Sequence, residues 1–309
     1  GAIGWPSEDF HMKRSSMNSH PASGIAIEPL ELEPVVPSGV APDAAVGLMP
    51  LLATGLAPLA PTEGRDHAIR HRLFDRVAHS ASVNRAFVTT REQDGVWLDL
   101  AEGIQQRALH EDAGAVSQLV RWTHEGELNL PAGAHVHECL VLQGSLQVMT
   151  PSAASKLGEQ DYLLSPGQAQ VWRASAGTCV YWRRITAVVD NFGCALAEPL
   201  FVQTASCEWE PLRQGVRIKP LFTQDDRVSM LVAFDAGATV PAHPHSHGEE
   251  CLMVGGDLFL GDVLLRSGDF QFAPRGSDHG ELSSDVGCLL YFHGAIDPAA
   301  VDPAVRPAT

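Results

Sequence analysis

Between Pro241 and Leu282 the chain reads PAHPHSHGEECLMVGGDLFLGDVLLRSGDFQFAPRGSDHGEL, and four of its side chains can bind a metal: His243, His245, Glu249 and His279. On a strand, side chains alternate between faces, so positions 243, 245, 247 and 249 share one side. Two imidazoles and a carboxylate thus converge from a single strand. His279 follows the turn-forming run Pro274, Arg275, Gly276, Ser277, and a matching strand can return it across the same interior. Neutral imidazoles with an ionised carboxylate suit divalent Zn, Fe, Ni, Mn or Cu, and the ligand set does not choose among them. His247 has the parity of the other two histidines, which leaves the choice of imidazoles open. An isolated His-x-His pair is more often a polar loop; four ligand types at both spacings favour a metal.

The elements that position these residues come from an internal repeat. Sliding the chain on itself by 112 residues carries Trp97, Leu100, Gly103, Leu109, Val116, Ser117, Leu119 and Val120 onto Trp209, Leu212, Gly215, Leu221, Val228, Ser229, Leu231 and Val232. The same shift carries Glu138, Cys139, Leu140, Gly144 and Leu146 onto Glu250, Cys251, Leu252, Gly256 and Leu258. A fixed shift with this many identities marks a duplication. Each copy consists of short β-rich runs such as VSQLVRW, CLVLQGSLQVM, SMLVAFDAG and CLLYF, punctuated by Gly, Pro and Asp. The predicted fold is all-β, two tandem jelly-roll barrels at 93–200 and 201–296, with β structure beginning beyond Val96. Before them, 1–40 reads as a flexible arm or cloning remnant and 41–92 as a short helical extension; 297–309 is a tail. In the extension Ile69, Leu73, Phe74 and Val77 form one helical stripe that needs something to pack on.

The two copies are unequal. The shift places Pro131, Gly133 and His137 opposite His243, His245 and Glu249, and no histidine lies between His137 and His243. The first barrel therefore cannot build the same site, and its expected role is packing. A rearranged site from His124, His135 and His137 is the weaker alternative. Among neighbours of the ligands, Glu250 points away from Glu249 and is read as a surface acid, Cys251 as a small buried thiol, and Tyr291 as core. His293 is left without a role.

The residues His243, His245, Glu249 and Gly256, followed by Gly268, Pro274, Gly276 and His279, resemble the two motifs of the cupin superfamily. The double acid after Gly248 and the interval from Glu249 to His279 most resemble the cupin domain of ChrR-type anti-sigma factors. The resemblance covers roughly residues 60 to 295, more weakly through RDHAIRHRLFDRV and DGVWLDLAEGIQQRAL. It implies a barrel holding one metal through His243, His245, Glu249 and His279. His247, where that family usually has Gly, and Ser283, where many cupins have Asn, depart from the pattern without removing a ligand.

Charge and composition narrow the function further. With 21 basic against 37 acidic residues, the net charge of −16 opposes direct binding to nucleic acid or an anionic membrane. No apolar run reaches the ~20 residues of a membrane span, and a cytoplasmic location is the expectation. Six cysteines without a CxxC pair argue against a cysteine zinc module.

Two readings remain. On octahedral Fe(II), Mn(II) or Ni(II), four ligands leave two positions for a small-molecule ligand or for substrate and oxygen, which implies a mononuclear dioxygenase-type enzyme cleaving C–C bonds. On Zn(II) the same four complete a tetrahedron, which implies a sensor or an anti-sigma-type regulator with a sigma factor as partner. Zinc anti-sigma modules of the ChrR kind use an N-terminal His-x3-Cys-x2-Cys element. No cysteine precedes residue 139. That favours the enzyme, with Zn or Fe(II) as the leading metals, a small-molecule ligand, and a homodimer as a further expectation.

Overall fold

The computed structural model of the chain describes residues 63–112 and 114–303. Contacts divide the chain into residues 1–67, of which only the first helical turn is described, and the compact unit 68–309. The boundary expected at residue 40 falls outside the described residues.

 In the helix α1, Glu63–Val83, the stripe of Ile69, Leu73, Phe74 and Val77 is in place but faces outward, 45% to 72% exposed. The helix is tied to the second barrel by Arg76, whose guanidinium lies 3.2 Å from the Asp262 carboxylate. Among the described residues no helix is long and apolar enough to cross a membrane.

The rest of the unit is two barrels of antiparallel strands. The main sheet of the first runs, in spatial order, Leu200–Val202, Tyr162–Ser165, His135–Gln143, Cys179–Thr186, Ala115–Trp122, Ile104–Glu111, Leu98–Ala101. That of the second runs Val88–Thr90, Phe270–Ala273, Glu249–Leu260, Cys288–Ala295, Arg227–Phe234, Val216–Gln224, Glu210–Arg213. β structure thus begins earlier than Val96, and the barrels exchange their outermost strands. Val88–Thr90 precedes the first barrel but pairs with the second, Val88 opposite Phe272. Leu200–Val202 precedes the second barrel but pairs with the first, Leu200 opposite Leu164. These two strands are themselves 112 residues apart, so the repeat extends through segments that share no identical residue.

Alternation along each strand sorts the side chains into three cores. Val228, Met230, Val232 and Phe234 fill the second barrel with Cys251, Met253, Leu290 and Phe292. Val120, Trp122, Cys139, Val141, Trp172 and Trp182 fill the first. Residues of the opposite parity, among them Leu119, Leu140, Tyr181, Leu231, Leu252 and Tyr291, meet in a third core between the barrels. Burying a large apolar side chain contributes about 1.5–3 kcal/mol, so this seam joins the barrels firmly. The motif glycine Gly256 has a positive φ of 73°, and a Cβ there would lie 2.2 Å from the Gly287 carbonyl oxygen. Only glycine fits that close approach.

Candidate metal centre

Two short segments bring the histidines together. His243 and His279 are register partners in the two-residue ladder of His243–Pro244 with Asp278–His279. His245 lies just beyond, its backbone N–H donating to the Ser277 carbonyl at 2.9 Å and its own carbonyl accepting from Gly276 at 2.9 Å. Glu249 begins the long central strand Glu249–Leu260. All four are buried, between 3% and 7% exposed.

The ring orientations are fixed from behind. His243 Nδ1 lies 2.9 Å from the Pro241 carbonyl oxygen, which can only accept, so that nitrogen carries the proton. Ser277 Oγ donates its single proton to the Pro274 carbonyl at 2.6 Å and is therefore left to accept from His245 Nδ1 at 2.9 Å. Both Nε2 atoms are thereby free to act as ligands, the usual arrangement behind a metal-binding imidazole.

In front, one ligand atom each from His243, His245 and Glu249 lies within 4.8 Å of the others. His279 Nε2 reaches Glu249 Oε1 at 3.4 Å, and His245 Nε2 stands 3.7 Å from Oε2. Atoms bound at about 2.1 Å to one ion lie roughly 3 to 3.5 Å apart when adjacent; the His279–Glu249 separation already matches this, and the others are wider. His245 Nε2 is buried without a hydrogen-bond partner, a costly state that a cation relieves.

Protonation favours binding as well. Burial pushes the His245 imidazole down to about 4, against the opposing pull of Glu249, and His279 and His243 add to the lowering. Burial alone raises the Glu249 carboxyl, yet the hydrogen bond and charge of His279 with the other two imidazoles bring it below its ordinary value. A neutral imidazole and an ionised carboxylate are the forms that bind metal.

The cluster has two sides. Inside the barrel, His243, Glu249 and Cys251 border a cavity of about 50 Å³ lined mainly by apolar side chains, among them Met230, Phe234, Leu290 and Phe292, and also by Asp297. Cys251 Sγ lies 3.7 Å from Glu249 Oε1, and burial, then the Glu249 charge, raise its thiol well above the usual range. On the outer side His279 joins the wall of a cleft of about 450 Å³. Phe87 stacks on His279, centroids 5.1 Å apart and planes at 20°, and meets His245 edge-on at 6.1 Å.

Two expectations need correction. His247 does not share the face of the ligands: the chain leaves extended geometry after Pro244, and the ring turns outward to Asp226, 2.9 Å away. Glu250 is no surface acid. It is 3% exposed, because the far side of its strand faces the other barrel rather than water. It accepts hydrogen bonds there from Ser117 at 2.7 Å, Tyr181 at 2.6 Å and Arg183 at 3.0 Å. Glu138, its counterpart in the repeat, accepts from Ser229, from Tyr162 at 2.6 Å and from Tyr291 at 2.8 Å. The duplicated Ser117/Ser229 and Glu138/Glu250 pairs were the sequence signal for this network. Tyr291 is fully buried, and His293 lies in the same seam with Nδ1 2.9 Å from Ser229 Oγ.

In the first barrel His124 is exposed beside Thr123, whereas His137 packs between Trp172 and Trp182 and accepts from the Trp182 indole at 3.2 Å. Among the described residues, His124, His135 and His137 do not form a metal-sized cluster. Phe87 and Ser277, which flank this cluster, had no sequence signal of their own.

Residues 197–297 match the family described as the ChrR cupin-like domain. A search of curated proteins finds no match. Among solved structures, the chain is similar to a protein described as glyoxylate-induced from Pseudomonas aeruginosa, at 14% identity and TM-score 0.57, over 68% of this chain and 88% of that one. It is similar to Ylba of E. coli at 14% identity and TM-score 0.57, over 68% and 90%. A variant of Bacillus subtilis oxalate decarboxylase gives 13% identity and TM-score 0.52, over 68% and 77%. At such identities the likeness establishes the fold alone.

Proposed function

We propose that this bicupin, whose second barrel is a ChrR-like cupin domain, holds one divalent metal through His243, His245, Glu249 and His279 and uses it in dioxygenase-type cleavage of a small, uncharged, oxygenated molecule. The observation that carries this reading is the cavity beside the cluster. At about 50 Å³ it is far below the roughly 300–1,000 Å³ of drug-sized ligand pockets. Its lining contains no Lys or Arg, and its only carboxylates are Glu249 and Asp297. Oxalate decarboxylase acts, by its name, on a dicarboxylate; beyond the proposed metal, this cavity has no cationic side chain to neutralise one.

When bound, the metal supplies Lewis acidity and, in its octahedral forms, two further coordination positions. The chain's own residues do the rest. Glu249, kept ionised, would leave one oxygen on the metal and offer the other as proton acceptor for a C–H acidified beside a carbonyl. Met230, Phe234, Leu290 and Phe292 exclude water and strengthen every electrostatic contact at the cluster. Cys251 keeps its proton on Sγ and presents a neutral wall.

Protein purified without added metal, then loaded with Fe(II), should consume oxygen with small neutral dicarbonyls and not with oxalate. Stoichiometric Zn together with no oxygen uptake after Fe(II) loading would sink the enzyme. A second reading then takes its place, a zinc-holding regulator of the anti-sigma kind, favoured by the ChrR family match and by the exposed stripe of Ile69, Leu73, Phe74 and Val77. It predicts that a transcription protein co-purifies with the chain, and loses that partner when Leu73 and Phe74 become Ser.

A further inference from the structure

Between the barrels lies a cleft of about 660 Å³, within the size range of small-molecule sites. It shares no lining residue with the cavity beside the metal ligands. The first barrel contributes Arg183, Asp190 and Asn191, and the second contributes the Asp225–Asp226 turn, Arg227 and His293. The floor is dry: Arg183, Glu250 and His293 are between 2% and 6% exposed.

On that floor His293 has bonding capacity to spare. Ser229 Oγ gives its one proton to the Glu138 carboxylate, so it accepts from His293 Nδ1 at 2.9 Å. With the proton on Nδ1, the neutral ring keeps a lone pair on Nε2. Burial, then the Arg183 charge, favour this neutral form against the pull of Glu250. Among the described residues Nε2 has no hydrogen-bond partner, and it is not one of the enclosed orphan atoms, so it opens on the cleft that its ring lines. A buried ring with an unused acceptor calls for a donor. The repeat puts Tyr181 at the matching place of the first barrel, where the hydroxyl is already spent on Glu250 at 2.6 Å.

The charges of the cleft say what kind of donor fits. Five carboxylates line it against the guanidinium groups of Arg183 and Arg227. Both guanidinium groups are engaged: Arg227 donates to Asp190 and Asn191 at 2.7 Å each, and Arg183 donates to Glu250 at 3.0 Å with Asp190 3.6 Å away. An anion would have to displace these carboxylates and would enter against the surplus negative charge. A positively charged donor gains from the same field, and the Phe272 ring in the wall offers apolar surface to its alkyl part. We propose that this cleft binds a small organic cation rich in N–H groups, an alkyl amine or guanidine, with His293 Nε2 accepting one of its hydrogen bonds and the Asp225–Asp226 turn supplying countercharge. This goes beyond the metal reading and does not depend on it.

The test is calorimetric titration of the full-length protein with agmatine, which carries an amine and a guanidine, and with succinate as an anionic probe. Agmatine should bind saturably with one site per chain, and succinate should not bind. His293→Asn keeps an N–H for Ser229 but removes Nε2, and should weaken agmatine about tenfold or more. Asp225→Asn with Asp226→Asn should weaken it about threefold to tenfold at low salt, with the gap narrowing at high salt. Glu102→Gln with Glu125→Gln, in another acidic cleft of the first barrel, should leave the affinity unchanged. Wild-type protein that does not bind agmatine, or that binds succinate as tightly, overturns the proposal. So does a His293→Asn protein with wild-type affinity, or an equal loss in the Glu102 and Glu125 variant, which would show attraction to negative charge in general. If His293→Asn does not fold, the turn variant decides, and unchanged affinity there at low salt overturns the site.

Discussion

Glu249 and Glu250 are consecutive residues with carboxylates on opposite sides of one strand: Glu249 lies 3.4 Å from His279 Nε2, and Glu250 accepts a hydrogen bond from Arg183 of the first barrel at 3.0 Å. The first barrel thus grips the strand that begins with one of the proposed ligands. Arg183 also reaches Glu138 at 3.4 Å and Asp190 at 3.6 Å, so one guanidinium balances three carboxylates across the seam. Its carboxylate partners hold its proton more firmly than usual in spite of burial.

Arg183→Met leaves Glu138 and Glu250 buried without their cation, and breaking a buried pair from one side costs about 3–5 kcal/mol. Denaturant unfolding should show a loss of that order. Glu250→Gln should cost less, because the amide oxygen still accepts from Ser117 and Tyr181. An Arg183→Met protein as stable as wild type would show that the seam is held by its apolar residues alone.

Ser277→Ala removes the acceptor of His245 Nδ1 without touching a ligand. Losing such a partner behind a metal-binding imidazole typically costs about 10- to 100-fold in metal affinity. Competition with a chelator of known affinity measures this, with thermal unfolding of the apoprotein as the check that the fold is intact. Unchanged affinity would mean that the backbone bonds of His245 to Gly276 and Ser277 suffice to aim the ring.

His137 makes acid sensitivity a property of the first barrel too. Burial, with His135 and Arg184 nearby, lowers its imidazole to about 4 from an ordinary 6.5. The unfolded chain therefore takes up this proton first, and stability present above pH 6.5 is lost as pH falls towards 4. The loss reaches up to about 3 kcal/mol. His137→Gln keeps an acceptor for the Trp182 indole but cannot be protonated. Its melting temperature should fall less between pH 7 and pH 5 than that of wild type; parallel curves would contradict this origin.

The parts of the site legible in the sequence were those with local spacing. His243, His245, Glu249 and His279 could be picked out because two motifs carry them, and the duplication showed through the 112-residue shift. Strand parity served for Glu249 and Cys251, whose strand is regular, and misled for His247, where the chain turns after Pro244. Glu250 was misread because parity tells which face a residue takes, not what covers that face. Phe87 was invisible for a related reason: its importance comes from a strand that crosses to the other barrel, a pairing without local signature. The regular elements follow from nearby residues, whereas the seam and the exchanged strands follow from the packing of one copy on the other.

The most direct test of the metal assignment is the metal content per chain, by elemental analysis, of wild type, His279→Ala and His137→Ala. One divalent ion per chain is predicted for wild type and for His137→Ala, and almost none for His279→Ala. A His137→Ala protein that loses half its metal, or a His279→Ala protein that keeps all of it, would contradict a single centre in the second barrel.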